Sequence, residues 1–186
     1  HYSVPLFIFI PVIIFFSVLA FTNNIGLAGF VLFFLIGLMV WTATEYLLHR
    51  FIFHYHPSSE TGKKIHFIFH GVHHDYPKDR KRLVLPPSAS IPLATAFYFL
   101  FSLLFQPAQL YAFFPGFLSG YLIYDMLHYA MHHYNFKSGL MKKIKQHHML
   151  HHYHDPEKGF GVSTALWDNI LRSQFSDSPK KLNEQQ

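Results

Sequence analysis

Cysteine is absent from all 186 residues. That excludes disulfides, thiolate zinc sites, iron–sulfur ligation and cysteine nucleophiles, so any bound metal must sit on nitrogen and oxygen. Charge is scarce as well: Asp, Glu, Lys and Arg make up 13% of the chain, against 51% hydrophobic and 19% aromatic residues. Such a balance is rich in apolar residues for a soluble domain and points to a membrane class. There is no internal repeat and no low-complexity segment. Lys and Arg are missing from residues 1–49 and 83–136, so all fifteen of them fall between Arg50 and Arg82 or between Lys137 and Lys181. The formal charge of +5 is therefore confined to two blocks, and no nucleic-acid partner is expected.

What is present begins with four apolar stretches, 5–21, 25–48, 88–105 and 109–131. Each approaches the length needed to cross a hydrocarbon core of about 30 Å at about 1.5 Å per helical residue. Thr22-Asn23-Asn24 separates the first two and Gln106-Pro107-Ala108 the last two, so each pair reads as a hairpin with an uncharged turn. The positive-inside rule then places the basic segments on the cytosolic side. The expected fold is all-α: an integral membrane protein with about four transmembrane helices in two hairpins and a cytosolic helical cap over 49–86 and 132–175. A buried soluble core is the competing reading, and the charge asymmetry argues against it. The first stretch is short and holds Pro5 and Pro11, so a tilted, kinked or partly re-entrant helix is expected there. The chain opens on His1, which suggests that residues once preceded it, and the polar end from Ser176 to Gln186 is expected to fray.

Histidine is the conspicuous residue. Fifteen of the sixteen lie in 43–56, 66–74, 128–133 and 147–154, with none from 75 to 127. Neutral imidazole binds Fe, Zn, Cu or Ni, and a polynuclear site needs many imidazoles converging. Residues three and four apart share a helical face. His70 with His73 and His74, and His148 with His151 and His152, repeat that spacing, and adjacent histidines at i+3 and i+4 splay enough to reach two metals. His128 and His132 are i and i+4. His49 and His54 are five apart, about 140° around an α-helix, and should serve different metals or straddle a bend. These ten are the candidate ligands, too many for one metal of four to six ligands, so two metals are expected. His56, His66, His133, His147 and His154 are left without a metal role.

Glu45 and Asp125 are the only acids within the apolar stretches. An ionisable group there is costly unless paired or facing a polar cavity. Glu45 precedes His49 by four residues and Asp125 precedes His128 by three, so both are candidate second-sphere acceptors for an outer imidazole N–H, with a snorkelling helix-end charge as the alternative. A histidine-rich dimetal site beside apolar helices suits oxidation of unactivated C–H bonds in a lipid chain. A zinc hydrolase needs only three protein ligands and an open position. The basic blocks would face anionic headgroups or the acidic end of a substrate, or act only as topology signals.

HRFIFH, HGVHH, HYAMH and HHMLHH, in this order and interleaved with two hairpins, resemble the fatty acid hydroxylase/sterol desaturase superfamily of membrane diiron enzymes. EYLLHRFIFH, HFIFHGVHHDYPKD, RLVLPP, GYLIYDMLHY and GFGVSTALWD carry a closer likeness to fatty acid 2-hydroxylases, over about residues 41–172. The resemblance implies a single membrane-embedded hydroxylase domain over 1–186, with His49, His54, His70, His73, His74, His128, His132, His148, His151 and His152 as its metal ligands. It implies two iron ions, which zinc can replace in purified protein, and hydroxylation of an acyl chain at the carbon next to its carbonyl using O₂ and two electrons. The active site would face the cytosol, in a bacterial inner membrane or the endoplasmic reticulum. Related proteins often carry a fused cytochrome b5 domain. This sequence has none, which implies a separate electron donor (cytochrome b5, ferredoxin or a reductase) or a domain lost upstream of His1. The alternatives are sterol or carotenoid oxidation or desaturation at the same site, or a non-catalytic membrane metal-binding protein. A transporter would place its ligands near the bilayer midplane rather than at helix ends.

Overall fold

A computed structural model describes residues 1–176, so the expected fraying of the tail falls, from 177 onward, outside the described residues. Among these the chain is helical, with no strand: α1 (Val4–Thr22), α2 (Leu27–Leu48), α3 (Glu60–His66), α4 (Val72–Asp75), α5 (Pro87–Ser102), α6 (Pro107–His133), α7 (Gly139–Tyr153) and α8 (Leu166–Ile170). Two short π-helical turns, His49–Phe53 and Phe67–Gly71, follow α2 and α3. The backbone contacts group the described residues into two compact units, one of residues 1–42 and 84–126, the other of 43–83 and the described residues from 127 onward.

The first unit holds α1, α5 and most of α2 and α6. Val4–Thr22 and Leu27–Phe53 are long and apolar enough to cross a membrane, and only 17% and 11% of their most apolar windows are buried. The core helix of a soluble domain would hide such a surface. α1 runs unbroken through Pro11, with Pro5 in its first turn, where a missing N–H costs nothing. Its C-terminal turn closes on Asn24, whose φ of +61° suits asparagine. At the second turn Pro107 opens α6, and Gln109 Oε1 reaches back to accept from the Gln106 N–H at 3.2 Å, half of a capping box. α5 stops at Ser102, three residues short of the apolar run that was expected to continue to 105.

Aromatic residues dominate the core of this unit: Phe101 sits 4.7 Å from Phe113 and 5.0 Å from Phe117, ring centre to ring centre, and Trp41 packs edge-on against Phe117 at 5.2 Å. Glycines let α2 and α6 approach this closely. A Cβ on Gly116 would overlap the Phe34 carbonyl, one on Gly37 the Phe113 carbonyl, and one on Gly120 would press on the Trp41 side chain, 2.5 Å from its Cβ. Backbone cannot step aside as a side-chain tip can. Gly116→Ala is therefore expected to destabilise the protein by about 1–3 kcal/mol, the usual cost of overpacking. Thermal unfolding in detergent would show it, and an unchanged midpoint would count against this close crossing.

The second unit carries the π turns, α3, α4, α7, α8 and the histidine-rich end of α6. Ser59 caps α3 by accepting from the Gly62 N–H at 3.1 Å, with Glu60 in the positive first turn.

Candidate metal centre

The wide turn after α2 resolves the spacing of His49 and His54. The His54 N–H donates to the His49 carbonyl at 3.1 Å, an i→i+5 bond. One extra residue per turn returns residues five apart to one face, so His49 and His54 point into the same place rather than toward different metals. The turn at Phe67–Gly71 closes in the same manner, with the Val72 N–H on the Phe67 carbonyl, and delivers His70 just ahead of α4.

The ten candidate imidazoles gather into two groups of five. His49, His54, His70, His74 and His151 form one, and His73, His128, His132, His148 and His152 the other. Within each group the five nitrogens all lie within 4.8 Å of one another. Chain neighbours are divided between them: His74 joins His70, four residues back, while His73 turns away. Likewise His152 joins His148 and His151 crosses to the other group. The planes of His74 and His152 stack at 4.2 Å, so the two groups share a wall.

Spacing within each group fits a metal. In the first, His70 Nε2 lies 3.2 Å from His49 Nε2, 3.1 Å from His54 Nε2 and 3.0 Å from His74 Nε2, with His151 Nε2 3.0 Å from His54 Nε2. In the second, His73 and His128 stand 2.9 Å apart, His132 and His148 3.0 Å, and His148 and His152 3.1 Å. Ligands at about 2.1 Å from a common centre are separated by about 3.0 Å along an octahedral edge and about 3.4 Å along a tetrahedral one. The closest pairs stand at the shorter of these spacings, so the five residues of each group could together hold one metal ion.

These groups are set up to be neutral. Burial first, and then neighbouring imidazoles, pull His54 down to about 2 and His74 to about 3. Burial lowers His151 to about 4 although the Lys158 carbonyl opposes it, and His70, His73, His148 and His152 are lowered too. A neutral ring offers a lone pair on one nitrogen only, and the partner of the other nitrogen decides which. His49 Nδ1 donates to the Phe160 carbonyl at 2.5 Å and His151 Nδ1 to the Lys158 carbonyl at 2.7 Å. Both protons are thus held on Nδ1, and both Nε2 lone pairs face inward.

Neither carboxylate singled out in the sequence belongs to either group. Glu45 is buried and accepts from the Ser163 N–H at 2.8 Å and the Ser163 hydroxyl at 2.7 Å, while a peptide carbonyl takes the outer proton of His49. Asp125 is buried in α6. Among the histidines left over, His66 donates to the Phe53 carbonyl at 2.6 Å, bracing the first π turn. His147 lies 3.1 Å from Asp168, His56 is an exposed partner of Glu157 at 3.4 Å, His133 lies tilted against the Tyr129 ring and His154 lies near Phe175. Sequence reasoning missed Asp168, which is fully buried in α8. Burial would raise its pKa, but hydrogen bonds from His147, Ser173 and the Gly161 N–H outweigh it and hold the group below the usual carboxylate value. The signal that could have found it was Gly159-Phe160-Gly161 eight residues earlier. Gly159 has φ +70°, and a Cβ on Gly161 would overlap the Thr164 carbonyl.

Residues 34–173 match the fatty acid hydroxylase family, and the chain belongs to it. It is 40% identical to a dihydroceramide fatty acyl 2-hydroxylase of Arabidopsis thaliana over 73% of this chain and 57% of that protein. It is 36% identical to the fatty acid 2-hydroxylase of Rattus norvegicus over 92% of this chain and 52% of that protein. The chain thus spans little more than half the length of these two relatives. A solved structure of full-length scs7p, in which only the hydroxylase domain is visible, superposes with a TM-score of 0.89 at 35% identity, covering 96% of this chain and 67% of that one.

Proposed function

We propose that the protein hydroxylates a lipid acyl chain at the carbon next to its carbonyl, using O₂ and electrons from a separate donor, at a dimetal centre held by the ten histidines. The two groups of five histidine nitrogens, the members of each within 4.8 Å of one another, carry this reading. Bound there, two iron ions would supply the O₂ activation needed to break an unactivated C–H bond. Zinc stands above iron(II) in affinity for such ligands and can replace it in purified protein. The residues of the chain do the rest. Buried, uncharged rings present lone pairs without first losing protons, the Phe160 and Lys158 carbonyls hold two rings in register, and the apolar surroundings limit access of water.

Support for a lipid substrate comes from the relatives, named for fatty acyl and ceramide substrates, and from the exposed apolar faces of Val4–Thr22 and Leu27–Phe53. In this reading α5 and α6 complete four membrane segments, and the histidines and both basic blocks face the cytosol, where the donor docks. The confinement of every Lys and Arg to 50–82 and 137–181 supports that orientation.

Expression in a host lacking 2-hydroxy lipids, followed by mass spectrometry of its hydrolysed lipids, tests the reaction. Fatty acids bearing a hydroxyl at carbon 2 are expected. A ring hydroxyl on a carotenoid, or an oxidised sterol methyl, would replace this substrate assignment with another.

A further inference from the structure

Asp168 has no exposure, yet it lies in a stretch of chain that otherwise presents backbone carbonyls to histidines. Taking a carboxylate out of water costs several kcal/mol, so it persists only where hydrogen bonds repay it. Here four do: Oδ1 accepts from the Phe160 N–H at 2.9 Å and the Ser173 hydroxyl at 2.8 Å, and Oδ2 from the Gly161 N–H at 2.9 Å and His147 Nε2 at 3.1 Å. A further chain of donors leads in from a cation. Arg50 donates to the Tyr46 hydroxyl at 2.7 Å, and that hydroxyl donates to Ser173 at 2.7 Å. Gly159 is pinned on the same side, its N–H donating to the Ser173 carbonyl at 2.9 Å.

The peptide units gripped this way are those that touch the metal ligands. Phe160 gives its N–H to Asp168 and its carbonyl to His49, and the carbonyl of Lys158, two residues earlier, takes the proton of His151. We infer that Asp168 is a positioning residue: through the 158–161 loop it sets the orientation and tautomer of His49 and His151, two of the five ligands of one metal group and none of the other. The inference rests on the proposed dimetal reading for its consequence in metal binding, but not for its consequence in tautomer. His147, left without a role by its spacing, belongs to this support rather than to a metal.

Asp168→Asn is the discriminating variant. An amide can accept from only one of the two adjacent N–H groups, because its NH₂ then faces the other donor. Loss of an outer-sphere partner typically weakens metal affinity about 10–100-fold. We expect the variant to bind one of its two metals about 10–100-fold more weakly, with the other unchanged, in zinc titrations of the purified full chain. In the metal-free protein, nitrogen-15 spectra of the imidazoles should show His49 and His151 protonated on Nδ1 in the parent and as tautomer mixtures in the variant. Two metals of parental affinity together with unaltered tautomers would overturn the inference, and so would equal weakening of both metals alongside a lowered unfolding midpoint, the mark of a merely structural role. Should the parent take up no metal, the proposed function fails, while the tautomer spectra still decide the role of Asp168. If Asp168→Asn does not fold, Ser173→Ala and His147→Gln each remove or alter one contact to the carboxylate. They should shift the same two readouts several-fold less, and no shift in either variant rejects the role.

Discussion

Alanine in place of His151 or of His128 is expected to abolish hydroxylated product while leaving the protein in the membrane. Each substitution removes one inward nitrogen, His151 from the group that contains His49 and His128 from the group that contains His73. Both side chains are buried, at 0% and 5% exposure, so water is poorly placed to take over the lost position. Partners one shell out cost about 10–100-fold when lost, and a ligand should cost more, so a fall of at least about 100-fold in 2-hydroxy product is expected from each. His56→Ala, on an exposed side chain that belongs to neither histidine group, supplies the comparison and should retain parental product. Quantitative lipid mass spectrometry beside immunoblots of the membrane fraction reads all three. Activity retained in both ligand variants would remove the ligand assignment; activity lost in only one would mean that a single metal group carries the reaction.

The local spacings in the chain were enough to find these ten residues, because i, i+3 and i+4 relations survive wherever the backbone stays helical. His70 and His74, His128 and His132, and His148 and His152 each share a group as the helical period requires. The same logic left His49 and His54 open between different metals and a bend, and could not choose the bend, since the α-helical period does not announce a turn that closes i→i+5. The sequence around it, HRFIF, carries neither the glycine nor the proline that would flag a break. The helix limits were close to the apolar runs, and the main discrepancy is α5, which ends at Ser102.

The outer support of the site was illegible for a different reason. It is built from the carbonyls of Phe160 and Lys158, and a carbonyl is common to every residue, so no side-chain pattern points to it. Glu45 and Asp125 drew attention as acids in apolar sequence, whereas the carboxylate that grips the loop, Asp168, sits in an ordinary polar stretch. Its significance appears only once eight residues of chain have folded back over it. What could be read was thus the set of groups whose chemistry is in the side chain and whose spacing is local. Groups that act through peptide bonds or through return of the chain could not.

The depth of burial has a direct consequence in acid. An unfolded imidazole titrates near about 6.5. In the fold, burial and neighbouring rings hold His54 at about 2, His74 at about 3 and His151 at about 4. Above about pH 6.5 neither state binds these protons, so pH has no leverage. Below it the unfolded chain takes up protons that the folded chain refuses, and stability falls as pH falls. Each such group contributes about 1.4 kcal/mol per pH unit, down to its own folded value. Because several groups act together, the metal-free protein is expected to hold a constant unfolding midpoint from about pH 8 to pH 7 and to lose it steeply between about pH 6.5 and pH 5. Metals compete with the same protons for the same nitrogens and stabilise only the folded chain, so the loaded protein should begin to fail at lower pH than the metal-free one, releasing its ions as it does. Thermal scans of both forms across this range, with metal assayed after gel filtration, measure the effect. A midpoint in the metal-free protein that stays level from about pH 7 to pH 5 would mean that these rings take up protons in the fold as readily as in the unfolded chain, so that burial does not hold them neutral with lone pairs ready for a metal.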